Sequence, residues 1–206
     1  MPQWLRSHAN EFKHKSYPAL APKFAELAEG QHPAALMITC ADSRIDTALI
    51  TNTEPGELFV VRNAGNIVPP AGAGNTGEAA SIEYAVRALR IPRIVVCGHS
   101  NCGAMGAVMN PSAAEGLNCV CSWISHAQPA ADELGDDVSL DALIERNVVL
   151  QIDHLRSYGF VRRAERMGEL VLMGWVYDIG TGEIREYQPE SDSFKAIESI
   201  NTEAAE

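Results

Sequence analysis

The sequence lacks a long apolar run and an excess of basic residues, and we expect no secretory leader. A membrane-spanning helix needs about 18 or more consecutive apolar residues, and the longest runs here are much shorter. Residues 1–18 mix His, Lys, Asn and Glu and contain no apolar signal segment. The formal charge of −11 argues against a nucleic-acid or membrane partner, because either usually requires a basic surface. We therefore expect a cytoplasmic enzyme or binding protein.

The cysteines are odd in number and unevenly spaced, which argues against a disulfide framework. In a reducing compartment each thiol is a core residue, a metal ligand or a nucleophile, and its neighbours must decide which. The five cysteines are Cys40, Cys97, Cys102, Cys119 and Cys121.

Composition and patterning predict one α/β domain over residues 1–206, with a mainly parallel central sheet flanked by helices. The hydrophobic content of 46% and the charged content of 21% are close to globular averages. Apolar segments such as ALMITC, ELFVVRN and RIVVCGH read as strands, and they alternate with helical segments. We expect a helical arm over residues 1–34 and a long helix over residues 140–157. Residues 189–206 are expected to form an acidic tail.

Two of the predicted strands end in residues that bind metals. Cys40 ends one strand and is followed by Asp42 and Arg44, whereas His99 and Cys102 follow another strand. Ligands of open parallel sheets bind at the carboxyl ends of the strands, so neighbouring strands would bring these side chains together. Two thiolates and an imidazole suit a catalytic zinc ion with an open fourth position. On the residues alone, a buried apolar cysteine beside a helix cap is an equally good interpretation.

Several of these residues have a second, structural interpretation. Asp42 or Ser43 could cap a helix over residues 43–51, since Asp and Ser are favoured at that position. Cys97 lies inside a predicted strand and is expected in the core. A second metal site could use the cysteines of the segment NCVC together with His126, but no fourth ligand is evident.

The motifs CADSR and GHSNCGA resemble those of the β-class carbonic anhydrases. The similarity continues through EPGELFVVRNAGNIVPP, GEAASIEYAV and GWVYDIGTG, and it covers about residues 31–182. It implies the β-carbonic anhydrase fold, one zinc ion per chain, and reversible hydration of carbon dioxide to bicarbonate and a proton. The zinc ligands that it implies are Cys40, His99 and Cys102.

The resemblance also implies roles for residues around the metal. Zinc hydroxide would be the nucleophile, and Asp42, held ionised by Arg44, would orient it. In some relatives the equivalent aspartate binds zinc as a fourth ligand at lower pH and closes the site. The substrate-binding positions implied by the resemblance are Gln31, Phe59, Ala64, Tyr84 and the amide of Gly103.

Regulation and assembly follow from the same resemblance. Relatives that bind regulatory bicarbonate carry Trp where this chain has Met37, although Arg62 and Tyr177 match other parts of that site. We therefore expect an open, plant-like zinc site without bicarbonate inhibition. A homodimer or a dimer of dimers is implied, because Gln31 and Tyr84 would serve a site shared between chains. A carboxysome-like compartment is an alternative to the cytoplasm.

Three other functions use the same residues. A cysteine hydrolase would employ Cys40 as nucleophile and His99 as base, without metal. A binding protein with a structural zinc ion would need a closed fourth position, which Asp42 could supply. Within the family, relatives hydrolyse carbonyl sulfide or carbon disulfide at the same kind of zinc site. The sequence does not distinguish these substrates, and it singles out no proton shuttle.

Overall fold

The computed structural model describes residues 3–135 and 138–197 and divides the chain into two compact units, Met1–His32 and Pro33–Glu206. The first unit contains helix α1 (Gln3–Glu11), a π-helical segment (Phe12–Ser16) and helix α2 (Tyr17–Leu27). These helical segments lie within residues 1–34, and the single domain expected over residues 1–206 stays a prediction.

The second unit is built on one six-stranded sheet with the order β2–β1–β3–β4–β5–β6. Strands β1 to β4 are parallel, and β5 and β6 are added in antiparallel pairings. This arrangement confirms the mainly parallel α/β fold. The strands are β1 (Ala35–Cys40), β2 (Leu58–Asn63), β3 (Arg93–His99), β4 (Val171–Tyr177), β5 (Ile184–Gln188) and β6 (Ser193–Ala196).

The helices of this unit differ in length, and the longest lies where the apolar periodicity predicts it. Helix α8 (Leu140–Ser157) follows its N-cap Ser139, whose hydroxyl accepts a hydrogen bond from the Ala142 amide at 3.1 Å. Among the described residues, no helix is long and apolar enough to cross a membrane. The helices are α3 (Thr47–Thr51), α4 (Gly77–Glu83), α5 (Gly103–Met109), α6 (Asn118–Ile124), α7 (Gln128–Leu134), α8 (Leu140–Ser157) and α9 (Gly159–Arg166).

Helix α8 packs directly on the two central strands. A Cβ atom at Gly98 of β3 would lie 2.9 Å from Val148 Cγ2, and one at Gly174 of β4 would lie 2.8 Å from Val148 Cγ1. These glycines permit a contact that a larger residue would block. The helix therefore lies close behind the strand that ends in His99.

The acidic tail is partly ordered into the sheet. Strand β6 pairs with β5 in an antiparallel register that joins Arg185 to Ala196 and Gln188 to Ser193. The rest of the expected tail, residues 198–206, lies outside the described residues.

Candidate metal centre

The fold brings together three potential metal ligands from two neighbouring strands. Strands β1 and β3 are adjacent and parallel, with Thr39 opposite Cys97, so Cys40 and His99 end at the same edge of the sheet. Cys102 stands immediately before helix α5. The ligand atoms of Cys40, His99 and Cys102 lie within 4.8 Å of one another, and all three residues are buried.

The imidazole of His99 has one nitrogen left for a ligand bond. Its Nδ1 lies 2.9 Å from the Ser100 carbonyl oxygen, so the neutral ring donates there and leaves the Nε2 lone pair free. Within the described ranges, His99 Nε2 is one of two buried side-chain nitrogen or oxygen atoms without a hydrogen-bond partner, the other being Asn66 Nδ2. A buried nitrogen without a partner is costly, and a metal ion would satisfy it.

The two sulfur atoms also need a cation. Hydrogen bonding with the neighbouring Cys102 side chain lowers the pKa of the Cys40 thiol, although its burial opposes this shift. The same bond and burial raise the pKa of Cys102, because its proton is held between the sulfurs. A bound cation would favour loss of the Cys102 proton as well. The resulting pair of thiolates, together with an imidazole, suits zinc. The residues present therefore fit a zinc ion.

Asp42 lies beside this cluster and is held by Arg44. Its Oδ1 accepts hydrogen bonds from the Arg44 backbone amide and Nε, both at 2.9 Å, and its Oδ2 accepts from Nη2 at 2.7 Å. These bonds hold the pKa of the Asp42 carboxyl well below its usual range. Arg44 Nη2 also donates to the Asn101 carbonyl at 3.2 Å, and Asp42 Oδ2 lies 4.0 Å from His99 Nε2.

The expectation that Asp42 or Ser43 caps the following helix is wrong. Helix α3 begins only at Thr47, and its N-cap is Asp46, which accepts hydrogen bonds from the Ala48 and Leu49 amides at 3.1 and 3.2 Å. The Asp42 carboxylate is therefore available to Arg44, since another aspartate caps the helix.

Arg62 of strand β2 stabilises the turn that carries Asp42. Its Nε donates to the Cys40 carbonyl at 3.1 Å, and its Nη2 donates to the Asp42 carbonyl at 2.7 Å. The guanidinium thus holds the main chain between Cys40 and Asp42. The sequence singled out Arg62 only for its match to a regulatory site and did not indicate these contacts.

The predicted pocket residues lie in different surroundings. The rings of Phe59 and Tyr84 pack against each other with centroids 6.2 Å apart, and Tyr84 is 49% exposed. Ala64 precedes the glycine whose amide contacts Cys40, and Gly103 directly follows Cys102. Gln31 belongs to the N-terminal unit, so its place beside the metal stays a prediction.

The remaining cysteines do not form a second centre. Cys97 is fully buried, as expected for a core residue, and burial raises the pKa of its thiol to about 12. Cys119 and Cys121 are exposed on helix α6. Over residues 3–135 and 138–197, the cluster around His99 is the one group of three or more His, Cys, Asp or Glu side chains placed to bind a metal.

The fold and the site define an α/β protein with a buried centre of two cysteines and one histidine suited to zinc. The family model described as carbonic anhydrase matches residues 35–184. The chain is 45% identical over 192 residues to a carbonic anhydrase of Pseudomonas aeruginosa, an alignment that covers 90% of this chain and 87% of the relative. It is 43% identical over 195 residues to a carbonic anhydrase of Synechococcus elongatus, covering 91% of this chain and 72% of the relative.

Solved structures agree with this assignment. The β-carbonic anhydrase CcaA matches with a TM-score of 0.92 and 38% identity, covering 96% of this chain and 92% of that one. A Coccomyxa β-carbonic anhydrase in complex with acetazolamide matches with a TM-score of 0.77 and 32% identity, covering 89% and 85%. The chain belongs to the carbonic anhydrase family, in its β class, which confirms the resemblance found in the sequence.

Proposed function

We propose that the protein catalyses the reversible hydration of carbon dioxide to bicarbonate and a proton, with one zinc ion per chain. Cys40, His99 and Cys102 would hold the ion. The observation that carries the proposal is their buried convergence around an unpartnered His99 Nε2 in a chain of this family. When bound, zinc acts as a Lewis acid that lowers the pKa of water from about 15.7 toward 7.

Asp42 and Arg44 orient the reacting water. The carboxylate of Asp42 has room for about four hydrogen bonds, and Arg44 supplies three of them. The remaining lone pair can accept a hydrogen bond from water beside His99, which leaves an oxygen lone pair directed at carbon dioxide. Arg44 keeps the acceptor ionised and fixed through its planar donor fork.

The same contacts support an open site without bicarbonate inhibition. Closure of Asp42 onto the metal would require the loss of its hydrogen bonds with Arg44. Arg62, which would contribute to a bicarbonate regulatory site, already donates to two backbone carbonyls of the turn after β1. Met37 stands where the regulated relatives carry Trp. We therefore propose that the site stays open at neutral pH.

Substrate binding and assembly are proposed together. Phe59, Ala64 and Tyr84 would form apolar walls suited to carbon dioxide, and Gln31 with the Gly103 amide would donate to bicarbonate. A chain from the crystal structures of two tetrameric β-carbonic anhydrases of Sordaria macrospora matches with a TM-score of 0.76 and 30% identity, covering 89% of this chain and 94% of that one. A homo-oligomer, as a dimer or a dimer of dimers, would cover the exposed ring of Tyr84.

The five free cysteines are compatible with the proposed cytoplasmic location.

The proposal is tested by removing and restoring zinc. Stopped-flow measurement of carbon dioxide hydration should show activity in the zinc-loaded protein, background rates after chelation, and recovery when zinc is returned. Activity that survives without metal and is lost on alkylation would instead support a cysteine hydrolase. Zinc binding with hydrolysis of carbonyl sulfide or carbon disulfide, but no hydration, would identify a different family activity. Zinc without any of these reactions would support a structural ion.

A further inference from the structure

Helix α8 carries a row of polar side chains on an otherwise apolar buried face. Asn147 and Gln151 are fully buried, and His154 follows one turn later and is half-buried. Residues three and four positions apart share one side of a helix, so the three form a continuous row. Burying polar groups is unfavourable unless they are hydrogen-bonded. The hydrogen-bond partners of these side chains therefore indicate which part of the structure the row stabilises.

The row hydrogen-bonds to the loop that follows strand β2. Asn147 Nδ2 donates to the Gly65 carbonyl at 3.1 Å, and Gln151 Nε2 donates to Asn147 Oδ1 at 2.8 Å. The Val68 amide donates to Gln151 Oε1 at 2.8 Å, and His154 Nδ1 lies 2.7 Å from the Val68 carbonyl. Burial lowers the pKa of His154, so its neutral ring donates to that carbonyl. The helix thus holds both ends of this short loop.

Gly65, at the beginning of this loop, lies between Cys40 and the helix that follows Cys102. Its amide donates to Cys40 Sγ at 3.4 Å. A Cβ atom at Gly65 would lie 2.9 Å from the Ala104 Cβ and 3.1 Å from the Met105 Cε, in the helix that follows Cys102. Its φ of +81° also favours glycine. Because glycine has no side chain, only its backbone amide can donate to the Cys40 sulfur from this position. The orientation of the peptide therefore decides whether this hydrogen bond forms.

A second helix fixes the peptide unit that carries the Gly65 amide. The Ala64 carbonyl belongs to the peptide unit that contains the Gly65 amide, and it accepts a hydrogen bond from Trp123 Nε1 of helix α6 at 2.8 Å. Trp123 holds this peptide at its oxygen, and Asn147 holds the next peptide at its oxygen. Rotation of the Gly65 amide away from Cys40 would break one or both of these bonds.

We propose that Trp123 and Asn147 are positioning residues of the metal centre, which direct the Gly65 amide at the Cys40 sulfur. This inference rests on the proposed zinc site. A hydrogen bond to a metal-bound sulfur stabilises its electrons and fixes its position, and such contacts around a metal typically change affinity by about 10- to 100-fold. Gln151 and His154 support Asn147 and the far end of the loop.

The test compares zinc affinity and a spectroscopic signature in two variants. Trp123→Phe removes the donor and keeps an aromatic ring, and Asn147→Leu removes the second donor. We expect each to raise the zinc dissociation constant, measured by chelator competition, by about tenfold or more. In the cobalt-exchanged protein, the sulfur-to-metal charge-transfer band should move to longer wavelength, because the sulfur electrons are less stabilised. If Asn147→Leu does not fold, Trp123→Phe alone decides the test.

A matched control separates positioning from a general loss of stability. Leu143→Ala makes a cavity at a fully buried site on the same helix and should lower the melting temperature as much as Asn147→Leu does. We expect its zinc affinity and cobalt band to equal those of the parent. If both test variants keep the parental zinc affinity and cobalt band, or if Leu143→Ala shifts them equally, the positioning role would be overturned. The proposed function would not be affected by either result. A parent protein that binds no zinc would overturn the proposed function as well.

Discussion

The carboxyl edge of strands β1 and β3 and the helix α6 both have two cysteines with a histidine nearby, but only the first forms a ligand cluster. At the sheet edge, ligand atoms from two separate strands come within 4.8 Å in a buried site. On α6, Cys119 and Cys121 are both exposed and are two positions apart, so their side chains point in different directions. A close sequence spacing is therefore a weaker indication of a metal site than two strands ending at one edge.

Removal of one ligand should give the largest difference between the two regions. We expect Cys102→Ala to lose stoichiometric zinc and to hydrate carbon dioxide at the uncatalysed rate, because two remaining ligands do not complete the site. The control Cys119→Ser should keep full zinc and activity. Metal analysis and stopped-flow assays on both variants check this. Stoichiometric zinc in Cys102→Ala would remove that residue from the ligand set.

Asp42→Asn should separate metal binding from catalysis within the cluster region. The amide keeps the shape of the side chain but loses the charge that accepts the hydrogen bond of the reacting water. A hydrogen bond to a charged group contributes about 1.5–3 kcal/mol, so we expect a fall of about 10- to 100-fold in kcat. Zinc content should equal that of the parent. Undiminished hydration in a zinc-replete sample would exclude Asp42 from the mechanism.

Arg44→Lys should have a smaller effect, since it keeps the positive charge and loses the planar fork. We expect a fall of about 2- to 10-fold in kcat, which corresponds to one hydrogen bond of about 0.5–1.5 kcal/mol. The pKa of Asp42 should rise toward its usual value of about 3.9, which still leaves the group ionised at neutral pH. Raising the pH should therefore not restore kcat relative to that of the parent at the same pH, and such a relative recovery would contradict a purely orienting role.

The lowered pKa of Asp42 also defines where its ion pair contributes to folding. Because the folded-state pKa lies below the unfolded value of about 3.9, the contribution is present above that pH and lost as the pH falls through the folded value. Chemical denaturation of the parent and of Asp42→Asn should accordingly show a difference that is constant from about pH 6 to 9. The difference should shrink only in strong acid.

Cys97→Ala should have the smallest effect, confined to stability. Cys97 is fully buried two residues before His99, yet its raised pKa makes it an inert core thiol. Its truncation should lower the free energy of unfolding by about 1 kcal/mol, whereas the exposed Cys119→Ser should change it by about 0.5 kcal/mol or less. Zinc content and kcat should stay unchanged in both variants. Loss of zinc in Cys97→Ala would show that the core thiol supports the metal centre.

Much of the fold was predictable because local patterns determine it. The strands β1 and β3 are near-continuous apolar segments, as expected where both faces of a parallel sheet are buried. Helix α8 has the bounds that its apolar periodicity predicts. The cap of α3 was assigned to the wrong residue, because Asp42, Ser43 and Asp46 are all good caps and tertiary contacts decide among them.

The contacts around the metal centre could not be predicted in the same way. Asn147 and Gly65 are 82 positions apart, and Trp123 and Ala64 are 59 positions apart. The sequence analysis did not single out the polar row on α8, whose partner depends on how the helix packs on the sheet. The strand β6 likewise lies in an acidic segment whose pairing depends on β5.

The most direct test of the account is to measure carbon dioxide hydration from about pH 6.5 to 9, with zinc quantified on the same sample. We expect about one zinc ion per chain and rapid hydration, without an abrupt loss of activity below pH 8, because the hydrogen bonds from Arg44 would keep Asp42 from binding the metal. One zinc per chain without hydration at any pH would contradict the proposed enzyme. Rapid hydration that collapses below pH 8 would contradict the open site.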